Sequence, residues 1–192
     1  MFFSLLGVVE SVLPRNYMEV PMLIFNKKFD NYVLSVGSED IVNPNNRTIT
    51  ILPISKNDFD KELLLVHIDQ HGHAVIKDQH QKYRSIVTGN TLEFTVIPHA
   101  HSDIWFKKVS YGSKPVFRII NDEMCLSAGE TAGGIKTVTF EKCTISDAQV
   151  WGALSKQFVL NKMENTTIST TFETDSISET LERLDRYAMK RI

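Results

Sequence analysis

The sequence predicts an all-β fold made of three similar units. Between about residue 20 and about residue 154, short β-rich runs alternate with turn clusters at close, even spacing, as in a sandwich or barrel. No segment before residue 176 keeps a helical period over several turns. The runs also recur: a strand of mixed apolar residues, a loop, an alternating strand, a turn and a final apolar strand appear in three copies.

In the first copy the runs fall at residues 22–25, 32–35 and 48–54 and end in Glu62-Leu63-Leu64. The middle copy has 73–77, 84–87 and 92–97, then Asp103-Ile104-Trp105. The last has 116–120, 124–127 and 138–143, then Gln149-Val150-Trp151. Turn residues stand between them: Asn43-Pro44-Asn45-Asn46, Gln70-His71-Gly72, Thr88-Gly89-Asn90, Tyr111-Gly112-Ser113 and residues 128–134 supply backbone that tolerates tight or left-handed conformations. The closing strands are spaced by about forty to forty-six residues, a period at which one unit cannot bury its own apolar face and must share a core with its sisters. Three units of four strands that close on themselves make a β-trefoil, and closure removes most exposed sheet edges.

Composition bounds the function. The chain has 192 residues, of which 42% are hydrophobic, enough for one core with tails at either end. Net charge is −2 and the Lys and Arg residues are scattered, so no concentrated basic surface offers itself to nucleic acid. Residues 1–20 open on an apolar stretch too short to span a bilayer. It reads either as a secretory signal or as a packed segment: no Lys or Arg precedes it, Glu10 interrupts it and no small-x-small cleavage site follows. The sequons at Asn46 and Asn165 are compatible with secretion. A secreted, extracellular protein is the expected setting, with the cytoplasm as the alternative.

Residues 125–151 resemble the ricin-B lectin family, whose repeats start on a Cys-Leu-Asp-like step, carry a second Cys and end in Gln-x-Trp. Cys125-Leu126-Ser127, Cys143 and Gln149-Val150-Trp151 occur in that order, with Asp103-Ile104-Trp105 and Glu62-Leu63-Leu64 as weaker echoes at the trefoil period. The resemblance covers residues 21–154. It implies a disulfide between Cys125 and Cys143, the only cysteines, if the chain reaches an oxidising compartment; in the cytosol they stay buried thiols. It also implies that Trp151 and Trp105 pack in the shared core and that the Gln149 amide satisfies backbone groups at a turn.

Lectins of this family hold galactose-like sugars with an Asp after the Cys-Leu step, an aromatic platform before the second Cys and an Asn beside Gln-x-Trp. In the last copy those places hold Ser127, Glu141 and Ala148; in the middle copy the first two hold Val87 and Val96, and in the first copy Ser35 and Pro53. No copy keeps the full set. The least altered is the last, where Ser127, Glu130 and Asp147 are expected to present hydroxyl and carboxylate groups on one loop face, either to a glycan or glycoprotein or simply to water. A trefoil without sugar sites remains a rigid stand for loops that recognise another protein.

Other chemistry is weakly represented. All six histidines, among them His71-x-His73 and His99-x-His101, lie in or beside the middle copy, but their spacing matches no zinc signature. The sequence has no nucleophile elbow, phosphate-binding glycine loop or His-Glu-x-x-His run, so neither an enzyme nor a cofactor is expected. Residues 155–175 are rich in Ser and Thr and read as a linker. Over 176–192 a capping box, Ser176 with Glu179, opens a helix with Ile177, Leu181, Leu184 and Ala188 on one face, which docks on its own trefoil or captures a protein partner.

Overall fold

The computed structural model describes residues 20–156, apart from 30–31, 42, 55–61, 69–71, 99–102, 112–113, 132 and 135. The expected leader at 1–20 (but for Val20), the linker beyond residue 156, the helix at 176–192, the sequon at Asn165 and His71, His99 and His101 lie outside the described residues.

Among the described residues twelve strands form one continuous sheet. The first unit supplies β1 (Met22–Asn26), β2 (Tyr32–Glu39), β3 (Asn46–Pro53) and β4 (Leu64–Ile68). The second supplies β5 (Ala74–Asp78), β6 (Arg84–Thr88), β7 (Thr91–Thr95) and β8 (Ile104–Tyr111). The third supplies β9 (Lys114–Asn121), β10 (Met124–Glu130), β11 (Lys136–Lys142) and β12 (Trp151–Ser155). Antiparallel pairing runs β1 to β4, β5, β8, β9, β12 and back to β1, so the first and last strands of each unit close a ring. The middle strands form hairpins β2–β3, β6–β7 and β10–β11 that hang from the ring, and β3 also pairs with β7. The fold is all-β, a β-trefoil.

Burial follows from sequence pattern. Ring strands such as β1 and β4 are near-continuous apolar runs and are buried on almost every residue, while hairpin strands such as β11 alternate, sending Val138 and Phe140 inward and Thr137 and Thr139 outward. Leu34, Ile49 and Ile51 from the first hairpin, Leu92 and Phe94 from the second, and Leu126, Val138 and Phe140 from the third meet the ring in one core. Each such side chain contributes about 1.5–3 kcal/mol by leaving water.

Ring register aligns the three units without recourse to sequence. Trp151, Leu64 and Ile104 each stand opposite the polar end of the next ring strand, at Asn26, Asp78 and Asn121 respectively. The same three residues face Phe117, Met22 and Ala74 on the other side. Trp151 is 0% exposed, and its Nε1 donates to the Leu126 carbonyl at 2.9 Å. The equivalent of Trp151 in the middle unit is therefore Ile104, which corrects the expectation that Trp105 is a core residue. A shift of one residue turns a side chain to the opposite sheet face. Trp105 lies half-buried on the outside of the ring, with its ring centroid 4.2 Å from that of His73 in an edge-on contact.

Candidate functional site

The outer faces of the first and third hairpins carry the same groups in the same places. Ser35 pairs with Thr50 and Ser127 with Thr139, while Gly37 and Gly129 stand against Thr48 and Thr137. Because the intervening residues Val36, Ile49, Ala128 and Val138 point into the core, strand alternation sets Ser35, Thr48 and Thr50, and likewise Ser127, Thr137 and Thr139, on the opposite side. The serines form a floor, 2% and 6% exposed, and the threonines a half-buried rim. Gly129 leaves a recess beside Thr137, whereas at Gly37 the Thr48 side chain and carbonyl already pack against the backbone. The Thr50 hydroxyl is buried without a hydrogen-bond partner, and Thr139 donates to a carboxylate oxygen of Glu141 at 3.3 Å. In the middle unit a shorter hairpin puts Ile86 opposite Glu93, and the pattern is lost.

The third unit is braced from below. Cys125 and Cys143 are disulfide-bonded, with Cα atoms 4.9 Å apart. Gln149 is buried, accepts from the Thr144 amide at 2.7 Å and donates to the Lys142 carbonyl at 3.0 Å. It belongs to the 3-10 turn Asp147–Gln149, which the Ser146 hydroxyl caps by accepting from the Ala148 amide. Asn26 ties this turn to the first unit by donating to the Ala148 and Val150 carbonyls at 2.9 and 3.2 Å.

Ser127, Glu130 and Asp147 do not share one face. Ser127 and Glu130 are three apart on a regular strand and so point to opposite sides of β10. Glu130 instead pairs with Lys136 at 2.8 Å, and the Lys136 ammonium lies 4.9 and 5.2 Å from the ring centroids of Phe29 and Tyr32 in the first unit. Asp147 sits on the 3-10 turn, beside β10. Of the three, only Ser127 contributes to the hydroxyl-lined face. Asn46 of the first sequon is also buried, its amide donating to Glu93 at 2.8 Å, and is not presented at the folded surface.

A second inter-unit contact repeats the arrangement at Lys136. Arg47 pairs with Glu39 at 2.9 Å and lies 4.9 Å from the ring centroid of Tyr83 in the next unit, with Lys82 on the same ring. Partial burial alone would raise the Tyr83 hydroxyl, but the Arg47 and Lys82 cations outweigh it and hold the group below the ordinary tyrosine range.

The recurring hydroxyl face was legible as two short similar strings, Leu34-Ser35-Val36-Gly37 with Thr48-Ile49-Thr50, and Leu126-Ser127-Ala128-Gly129 with Thr137-Val138-Thr139. Among the described residues no group of three or more His, Cys, Asp or Glu side chains is placed to hold a metal, and no helix is long and apolar enough to cross a membrane.

Neither a family model nor a curated protein matches the sequence. Solved structures match it by shape. One is a GlcNAcα1-4Gal-releasing endo-β-galactosidase from Clostridium perfringens, 11% identical with a TM-score of 0.55 over 71% of this chain and 32% of that one. A second is the C-terminal domain of an earthworm lectin, solved as a mutant with 6'-sialyllactose, 14% identical with a TM-score of 0.50 over 71% of this chain and 99% of that one. A third is SeviL bound to asialo-GM1 saccharide, 13% identical with a TM-score of 0.51 over 71% of this chain and 98% of that one. The chain thus spans about a third of the endo-β-galactosidase and almost the whole of the two lectin chains. At these identities the likeness is one of fold, and the class it defines is the β-trefoil. The resemblance seen in residues 125–151 has its counterpart there, since the structural neighbours include ricin-B-like lectins.

Proposed function

We propose that this chain is a non-enzymatic carbohydrate-binding module that meets its glycan on the hydroxyl-lined faces of the first and third hairpins. The observation that carries this reading is the recurrence of Ser-x-Gly against Thr-x-Thr at equivalent places in two units. Hydroxyls both donate and accept, so they match the alternating donors and acceptors of a sugar ring, and threonine methyls offer apolar contact to its C–H face. In the third unit the missing Gly129 side chain gives that ring room. The shared fold with lectins supports the same reading, although the Asp and aromatic places of galactose-binding repeats hold other residues here. The Cys125–Cys143 bond favours an extracellular setting.

Binding of the full chain to a glycan array, followed by titration of the best ligand, tests this. Thr48→Val removes one rim hydroxyl at constant shape, and Gly129→Ala fills the recess in the third unit, where the added methyl meets only Thr137 Oγ1 at 3.4 Å. Each is expected to weaken binding by about fivefold, the worth of one neutral hydrogen bond, and the pair to add. A blank array, or affinity untouched by both changes, overturns the proposal in favour of a trefoil that recognises protein.

A further inference from the structure

The middle unit differs from its sisters on the outer face, where it carries positive charge. Lys77 on β5 is the register partner of Arg84 on β6, which in turn pairs with Thr95 on β7, so the three side chains stand in a row across one sheet face. Together with Lys82 from the turn before β6 they line a pocket of about 310 Å³ whose far wall is Ile97 and Pro98. Alignment through the ring puts Arg84 where the third unit has Cys125, and Ile97 where it has Cys143. Where the third unit is closed by its disulfide, the middle unit keeps an open cleft.

The cations Lys77, Lys82 and Arg84 have no described carboxylate partner, although Lys82 lies 5.1 Å from the Tyr83 ring centroid. The nearest acid along the strand, Asp78, is occupied in accepting from the His80 and Tyr83 amides, and Glu93 accepts from Asn46. Backbone donors in the wall are also spent, the Val96 amide on the Asn45 carbonyl and the Ile97 amide on Thr95 Oγ1. A ligand therefore meets side-chain cations on one side and an apolar wall on the other. Three like charges held together without a counter-charge repel one another, and an anion relieves that cost while gaining charge-assisted hydrogen bonds.

We infer that this pocket binds the carboxylate or sulfate of an acidic sugar, with the C–H face of the ring against Ile97 and Pro98. The volume sits at the lower end of the range for small-ligand clefts and suits one sugar ring. This site is separate from the hydroxyl faces but rests on the same reading of the chain as a glycan binder.

Calorimetric titration of the full chain with glucuronic acid, N-acetylneuraminic acid and sulfated galactose, against glucose, galactose and inorganic sulfate, tests it. At least one acidic sugar is expected to bind more tightly than both neutral sugars and inorganic sulfate, and to weaken as salt is raised. Arg84→Gln and Lys82→Gln are each expected to lower that affinity about tenfold, while Lys108→Gln, an exposed cation on β8 outside the pocket, leaves it unchanged. Should Arg84→Gln unfold the chain, the exposed Lys82 carries the comparison alone. Acidic sugars that bind no better than neutral ones, or inorganic sulfate that binds as tightly as they do, overturn the inference. If neutral glycans bind the array and acidic ones do not, only this pocket falls; if neither binds, the functional reading falls with it.

Discussion

Gly152 shows how much one side chain decides in this fold. It is the register partner of Phe25 across the β1–β12 pair, and a Cβ at Gly152 would collide with the Phe25 ring. The equivalent residues in the other two units are Leu65 opposite Lys77 and Trp105 opposite Ile120, so this position tolerates bulk wherever its partner is not a phenyl ring. Gly152→Ala is expected to destabilise the protein by about 1–3 kcal/mol through overpacking, read as a lower midpoint in urea unfolding. Adding Phe25→Leu should recover most of the loss; a double variant no better than the single one would put the cause elsewhere. The tryptophans make a related contrast. Trp151 is held by burial and an indole hydrogen bond, whereas Trp105 lies outside the ring against His73.

At the scale of elements, the third unit is the most heavily braced, and its disulfide is one part of that brace. The bond closes a loop with a sequence separation of 18. Cys125→Ala with Cys143→Ala is expected to cost about 3 kcal/mol, mostly by freeing the unfolded chain, with Gln149 and the 3-10 turn left to hold the native geometry. Comparing denaturation of the oxidised chain and the double variant measures it, and equal midpoints would contradict it. The first three strands of each unit are readable from apolar runs and turn residues, whereas β4 and β12 begin only at the last residue of Glu62-Leu63-Leu64 and Gln149-Val150-Trp151. The register of the middle unit is not readable: Trp105 resembles Trp151 in kind, and nothing in Asp103-Ile104-Trp105 reveals that Ile104 holds the core place. Nearness to Ser127 in sequence suggests a shared face for Glu130, but strand alternation sends it toward Lys136. The cationic pocket is not legible in the sequence because Lys77, Lys82 and Arg84 come together only once three strands and a turn are folded.

At the scale of the molecule, stability depends on closing the ring. Met22 pairs with Ser155, so the contact that completes the barrel joins residues from opposite ends of the described chain. Such distant pairing makes folding slow and cooperative. Removing residues 149–192 deletes β12, strips β1 and β9 of a shared neighbour and takes Trp151 from the core. The truncated chain is expected to lose its cooperative thermal transition and near-ultraviolet circular dichroism altogether. A shortened protein that still melts in one sharp step would show that the ring is not the unit of stability.

The same closure governs how the molecule can be displayed. Lys156 donates its backbone amide to the Pro21 carbonyl, so the chain enters and leaves the barrel side by side, at the end of β1 away from the hairpin that follows it. Anything joined to either side of the trefoil departs from a single point. A tether there leaves the hairpins free to face outward, and the domain can sit within a larger polypeptide as an insert without stretching its host.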